Sequence, residues 1–126
     1  MITVKDIIEF VSKGEKFNFC CSAFLDSFYA AADQQRIEMI KDEPEAFPNV
    51  EHFYYCDVAA MTHKLANDFK LIVPEWVHKE KYILTEPHYD IFDKNNEILK
   101  KYLEDVSPYE FKIRNIFVKE NALDRV

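Results

Sequence analysis

The chain has four histidines and three cysteines, and two of these residues, His52 and Cys56, stand four apart in a stretch of helical periodicity. That spacing puts both side chains on one helix face, where they can share a metal ion. His63 falls on the same face but about 16 Å further along at 1.5 Å per residue, too far to complete the site. The remaining ligands would have to come from Cys20 or Cys21, or from His78 or His88. The plainer reading is also the stronger one: the cysteines are buried small hydrophobes and the histidines donate to backbone carbonyls. Nucleophilic catalysis is weaker still. Cys20 and Cys21 lie on the apolar stripe of their segment, where desolvation raises a thiol pKa and suppresses the reactive thiolate. Carboxylates are abundant, as in any acidic chain, and their count alone does not single out an acid–base pair. Tyr54, Tyr55 and Trp76 can line a ligand pocket, but aromatic residues more often fill a core. No cofactor is implied.

The chain of 126 residues is sized for one domain, taken here as residues 1–126, and 48% hydrophobic against 31% charged suits a packed core with a soluble surface. Gly14 is the single glycine, where average usage would give about nine. Phosphate-cradling loops and tight hairpins need glycine for positive φ or close backbone approach, which disfavours P-loop, Rossmann and most antiparallel-sheet folds. The expected fold is all-α, a compact domain of about five helices.

Residues 1–90 carry nine basic and sixteen acidic side chains, and residues 91–126 carry seven of each. The net charge of -7 therefore lies in the first ninety residues. A field of that sign repels nucleic-acid backbones and anionic membranes, so nucleic acid and membrane are unfavoured partners. Binding of nucleic acid by the neutral C-terminal segment alone would show an affinity that falls steeply with salt. The acidic run from Glu38 to Glu51 around Pro44 and Pro48 reads as a solvated connector, or else as a dock for a basic partner. The three cysteines have no framework spacing, and the N-terminus shows no signal-peptide pattern, so a reduced, cytoplasmic setting is expected.

Thr3 and Asp6 resemble a capping pair, followed by Val4, Ile7, Ile8 and Val11 at helical spacing up to Gly14. Phe17, Cys20, Cys21, Phe24, Leu25, Phe28 and Ala32 predict a second helix, with Asn18 as its cap, which either kinks near Asp33 or hands over to another before Pro44. The central helix is placed from Asn49 to about Lys70. One face carries Val50, Tyr54, Val58, Met61 and Leu65; the other carries small or amphipathic residues, the pattern of a helix sandwiched between neighbours. Val73 to Phe92, with Pro74 and Pro87, reads as an extended wrap with at most one helical turn. Asp93 is expected to cap a helix that buries Ile98, Leu99, Tyr102, Leu103 and Val106. Ser107, Pro108 and Glu110 read as cap, first helical residue and capping-box partner of the next. The tail from Val118 to Val126 is expected to be one more short helix.

The C-terminal stretch alternates apolar and basic residues. Lys112, Arg114, Lys119 and Arg125 can contact a phosphate or an acidic partner, or Arg114 can pin the tail to the acidic body, which is the stronger reading for that residue. Trp76, Lys112, Arg114, Asn115 and Arg125 form the candidate partner-binding set.

The motifs Phe24-Leu25-Asp26-Ser27-Phe28-Tyr29, Val73-Pro74-Glu75-Trp76, Glu86-Pro87-His88-Tyr89 and Ser107-Pro108 through Arg114-Asn115-Ile116-Phe117-Val118 resemble a group of small, uncharacterised bacterial proteins. The resemblance covers roughly residues 24 to 126 and implies no activity. His88 stands where the group has an aromatic, and the basic stretch is reduced to Lys112 and Arg114. The expected function is a non-enzymatic interaction module with a protein partner, antitoxin-like or regulatory; a second copy of the chain is a further candidate partner. The alternative is a small metal-dependent or ligand-binding enzyme using His52 and Cys56.

Overall fold

The computed structural model describes residues 1–125. Six α-helices appear in the order α1 Val4–Ser12, α2 Phe17–Ala30, α3 Asp33–Lys41, α4 His52–Asp68, α5 Glu97–Val106 and α6 Tyr109–Lys112, and a two-residue parallel pair, β1 His88–Tyr89 with β2 Ile116–Phe117, is the one sheet among the described residues. The fold is all-α.

Local chemistry sets the first helix boundaries. Thr3 and Asp6 form the expected capping box at α1, whose Val4, Ile7 and Ile8 are wholly buried. Gly14, at φ 102°, then turns the chain into α2. Asn18 does not cap α2: the cap position is Lys16, which makes no side-chain bond, and Asn18 lies inside the helix. Near Asp33 the chain hands over to a separate helix. Arg36 of α3 reaches back and donates to the carbonyls of Phe28 and Tyr29, both at 2.9 Å, while its guanidinium lies 4.2 Å from the centre of the Phe69 ring. It satisfies the open C-terminal carbonyls of α2 and ties three elements together.

One hydrophobic cluster runs from Val4 to Leu123, and α4 passes through it with both faces buried, from Val58 and Leu65 on one side to Cys56, Ala59 and Ala66 on the other. It packs against α1, α6 and the segment after Pro74. That segment contains two short 3-10 helices, Glu75–His78 and Glu80–Tyr82, before β1. Trp76 and Tyr82 turn inward from them, meeting edge to face at 5.6 Å. With a single glycine available, the chain uses Lys70 (φ 57°) and Asn115 (φ 63°) at left-handed positions. Asn115 is suited to this conformation, and its side-chain amide donates to the Leu84 carbonyl at 2.8 Å.

Helix α5 departs most from expectation. Asn96, not Asp93, caps it by accepting from the Leu99 amide at 3.0 Å. Of the expected buried stripe only Leu103 is enclosed. Ser107 terminates α5 instead of capping α6: its hydroxyl donates to the Leu103 carbonyl and accepts from the Val118 amide at 3.0 Å. Glu110 accepts from Asn67 on α4 at 2.8 Å and makes no capping box. Beyond β2 the chain forms turns up to Asp124 where one more helix was expected; Val126 lies outside the described residues.

Leu103 lies outside the main cluster and is the main apolar anchor of α5. Leu103→Ala should cost about 2–4 kcal/mol, and it should act locally. Amide exchange across residues 97–106 should accelerate while the α4 amides keep their protection. Uniform acceleration over both helices would show that α5 and the core open together.

Candidate functional site

His52 and Cys56 do come together. His52 Nε2 lies 3.7 Å from the Sγ of Cys56, one turn further along α4, and 2.5 Å from the Lys81 carbonyl oxygen. No third ligand joins them: among the described residues no three His, Cys, Asp or Glu side chains are grouped to hold a metal. Burial pushes the Cys56 thiol up to about 11, and burial likewise raises Cys20 and Cys21. All three cysteines are free thiols that resist ionisation.

The five candidate partner-binding residues occupy different environments. Trp76 is interior, its indole donating to the Ile40 carbonyl at 3.2 Å. Asn115 holds the turn before β2. Arg125 is exposed but engaged, donating to both Asp26 carboxylate oxygens at 2.9 and 3.4 Å. Lys112 is exposed, and its side chain makes no hydrogen bond or ion pair among the described residues.

Arg114 is the most deeply buried of the five, at 2% exposure. Its Nη1 donates to the Glu110 carbonyl at 2.6 Å and to His63 Nδ1 at 3.1 Å, and its Nη2 donates to the Val77 carbonyl at 2.8 Å. Its Nε has no partner. A guanidinium can only donate, so His63 must present an unprotonated Nδ1. Burial first, and then the Arg114 charge, hold the His63 pKa below the ordinary histidine value. Arg114 thus joins α4, α6 and the first 3-10 helix from inside, through carbonyls and a neutral imidazole, without a carboxylate.

The surface offers a different feature. On α5, Ile98 is 83% exposed, Tyr102 49% and Leu99 42%, while Leu103 is 1% exposed. At about 100° per residue, Leu103 and Ile98 mark opposite edges of one apolar arc. The body of the protein takes the Leu103 edge and the polar flank beyond it. There Glu104 accepts from the Tyr89 hydroxyl and the Lys100 ammonium lies 5.4 Å from the centre of the Tyr89 ring. Tyr89 in turn stacks on Phe117 across the strand pair at 4.9 Å. Polar contacts to Tyr89 therefore hold the helix with its other apolar edge turned outward, flanked by Lys101 and Asp105.

Comparison with family models, with curated proteins and with solved structures finds no match. Function must be argued from the geometry. No helix among the described residues is long and apolar enough to cross a membrane.

Sequence reasoning also passed over Asp57, the only Asp, Glu, Lys or Arg between Glu51 and Lys64. A lone acid in so uncharged a run was the available signal. Its carboxylate makes no hydrogen bond or ion pair among the described residues, and burial, with a smaller push from Asp90, raises its pKa to about 7. The unfolded chain releases this proton near pH ~4, whereas the folded chain keeps it until about pH 7. Between those limits the native state binds the extra proton, so stability falls as pH rises through the window and the penalty is complete above it. Asp57→Asn removes that penalty. Its melting temperature should match the wild type near pH ~4 and exceed it increasingly up to pH ~8. An offset independent of pH would show that Asp57 titrates normally.

Proposed function

We propose that the protein is a non-enzymatic interaction module whose partner-facing surface is the outer edge of α5. The observation that supports this reading is the exposure of Ile98, Leu99 and Tyr102 on a helix whose one fully buried side chain is Leu103. Residues three and four apart on an amphipathic helix are the anchors a hydrophobic groove takes up, and Leu99 with Tyr102, or Ile98 with Tyr102, have that spacing. The occupant is a different protein that offers such a groove, with polar groups on its rim facing Lys101 and Asp105. Ten residues of helix span about 15 Å, too little for two convex copies to reach the roughly 800 Å² per partner of a stable complex. A groove that wraps the helix reaches it. An antitoxin-like or regulatory role is a form of interaction that the acidic body and the resemblance to small bacterial proteins allow.

The test compares a tagged wild-type chain with the double variant Ile98→Ser/Tyr102→Ser and with Arg125→Ala, each recovered from its native cells at native level. Both α5 positions are exposed, so each change should cost less than about 0.5 kcal/mol of stability. A stoichiometric protein should accompany the wild type and Arg125→Ala and be lost from the double variant, while the isolated wild type runs as a monomer. Retention of the partner by the double variant, or a homodimer that the double variant breaks, would overturn the reading.

A further inference from the structure

Between α2, α4, β1 and the C-terminal turns lies a cleft of about 700 Å³, inside the roughly 300–1,000 Å³ range of small-molecule sites. Its floor is the mid-section of α4, where Phe53, Tyr54 and Met61 line it together with Asp57. An apolar residue at position 57 would close this floor with the same packing as its neighbours. Instead a half-buried acid sits there without a protein partner, and a partly desolvated carboxylate that lacks a hydrogen bond or a cation costs stability. Groups held at such a cost inside a cleft mark binding sites.

The rest of the lining indicates the sign of the missing group. Four carboxylates, Glu15, Asp57, Asp90 and Asp124, face two cationic side chains, Lys16 and Arg125, and Arg125 is already bonded to Asp26. His88 adds no positive charge near neutral pH: its ring packs on Phe53 with centroids 4.2 Å apart, and burial lowers its pKa. Neither Asp57 nor Asp90 is paired with a lysine or arginine among the described residues. The aromatic wall is continuous, Tyr54 stacking on Phe17 at 4.2 Å and meeting Phe53 at 6.1 Å.

We propose that this cleft binds a small organic amine, its ammonium held by Asp57 and Asp90 and its apolar body against Phe53 and Tyr54. An ammonium supplies the donors that Asp57 lacks and is attracted to the faces of aromatic rings. A metal ion fits less well, because the lining groups no three ligands within reach of one ion.

Benzylamine, benzyl alcohol and ammonium chloride at matched ionic strength separate charge from apolar body. Benzylamine should raise the melting temperature of the wild-type chain saturably at millimolar concentration, because a ligand that binds only the native state stabilises it. Benzyl alcohol and ammonium chloride should not. Calorimetric titration should show at least about tenfold weaker benzylamine binding to Asp57→Asn, with an unchanged far-ultraviolet circular dichroism spectrum. Asp90→Asn should weaken it several-fold and decides the matter should Asp57→Asn not fold. No saturable benzylamine effect on the wild type, equal effects of benzylamine and benzyl alcohol, or undiminished binding by folded Asp57→Asn or Asp90→Asn would overturn the proposal.

Discussion

Replacing Arg114 with methionine should lower the melting temperature by about 10 °C or more, although methionine replaces the apolar stem of the arginine and the substitution removes a buried charge. Exchanging a buried ion pair for apolar residues is often harmless because both charged partners leave together. Here the partners cannot leave. Two of them are the backbone carbonyls of Glu110 and Val77, and the third is the Nδ1 atom of His63 on α4. The substitution strands these acceptors in the interior, and each buried unsatisfied group costs about 1–3 kcal/mol, so a total near 3–5 kcal/mol is expected. Arg114→Lys should recover little of it. A lysine ammonium is a point donor on a flexible stem and cannot span two carbonyls and an imidazole as the planar fork does. Thermal and urea unfolding followed by circular dichroism measure the loss. A melting temperature within a few degrees of wild type would show that water replaces the guanidinium at no cost, and that Arg114 is not what joins α4, α6 and the segment around Val77.

Phe28→Ala should be nearly as severe, at about 3–5 kcal/mol. Phe28 is completely buried and its ring meets three others, Phe24 at 5.7 Å, Tyr29 at 6.2 Å and Phe69 at 5.1 Å, the last edge to face. The Arg36 guanidinium covers it at 5.5 Å while bonding to its carbonyl. The surroundings have little freedom to collapse into the space left behind, because Arg36 fixes the end of α2 and Phe69 sits at the left-handed exit from α4. Such rigidity puts a large-to-small change at the costly end of its range. Phe28→Leu, which keeps most of the volume, should cost about half as much. Comparison of the two variants by urea unfolding separates the cavity from the lost aromatic contacts.

How far the fold was legible depended on whether its cause was local. The capping box of α1, the stripe of Val4, Ile7 and Ile8, and the two-sided burial of α4 all follow from residues within one or two turns of each other, and all could be read from spacing alone. The end of α2 was open between a kink and a handover, because it is decided by Arg36, whose reach to the carbonyls of Phe28 and Tyr29 no periodicity encodes. In α5 the period was right and the burial was not. An apolar arc shows that a helix has two sides and does not show which edge the body of the chain will cover. Here Tyr89, eleven residues before Lys100 and fifteen before Glu104, holds that flank across an irregular segment and leaves Ile98 and Tyr102 outside.

The candidate site followed the same division. The pairing of His52 with Cys56 is an (i, i+4) relation, and it was legible; the absence of a third ligand depends on where Cys20, Cys21, His78 and His88 end up, which is tertiary. Arg114 was read as a pin, but against an acidic surface. Its partners are instead carbonyls and a histidine 51 residues away, groups with no sequence signature. Asp57 had a local signal, a lone charge in an apolar run. Only the cleft around it gives that signal a meaning.

Amide hydrogen exchange of the chain alone and in its purified complex with the captured partner tests the proposed function most directly. Residues 97–106 should exchange more slowly in the complex, with the change centred on Ile98 to Tyr102, while the segment from Lys112 to Arg125 is unaltered. Unchanged exchange across residues 97–106 together with new protection around Lys112 and Arg125 would contradict the account, placing the partner on the cationic C-terminal segment and leaving the exposed edge of α5 without a role.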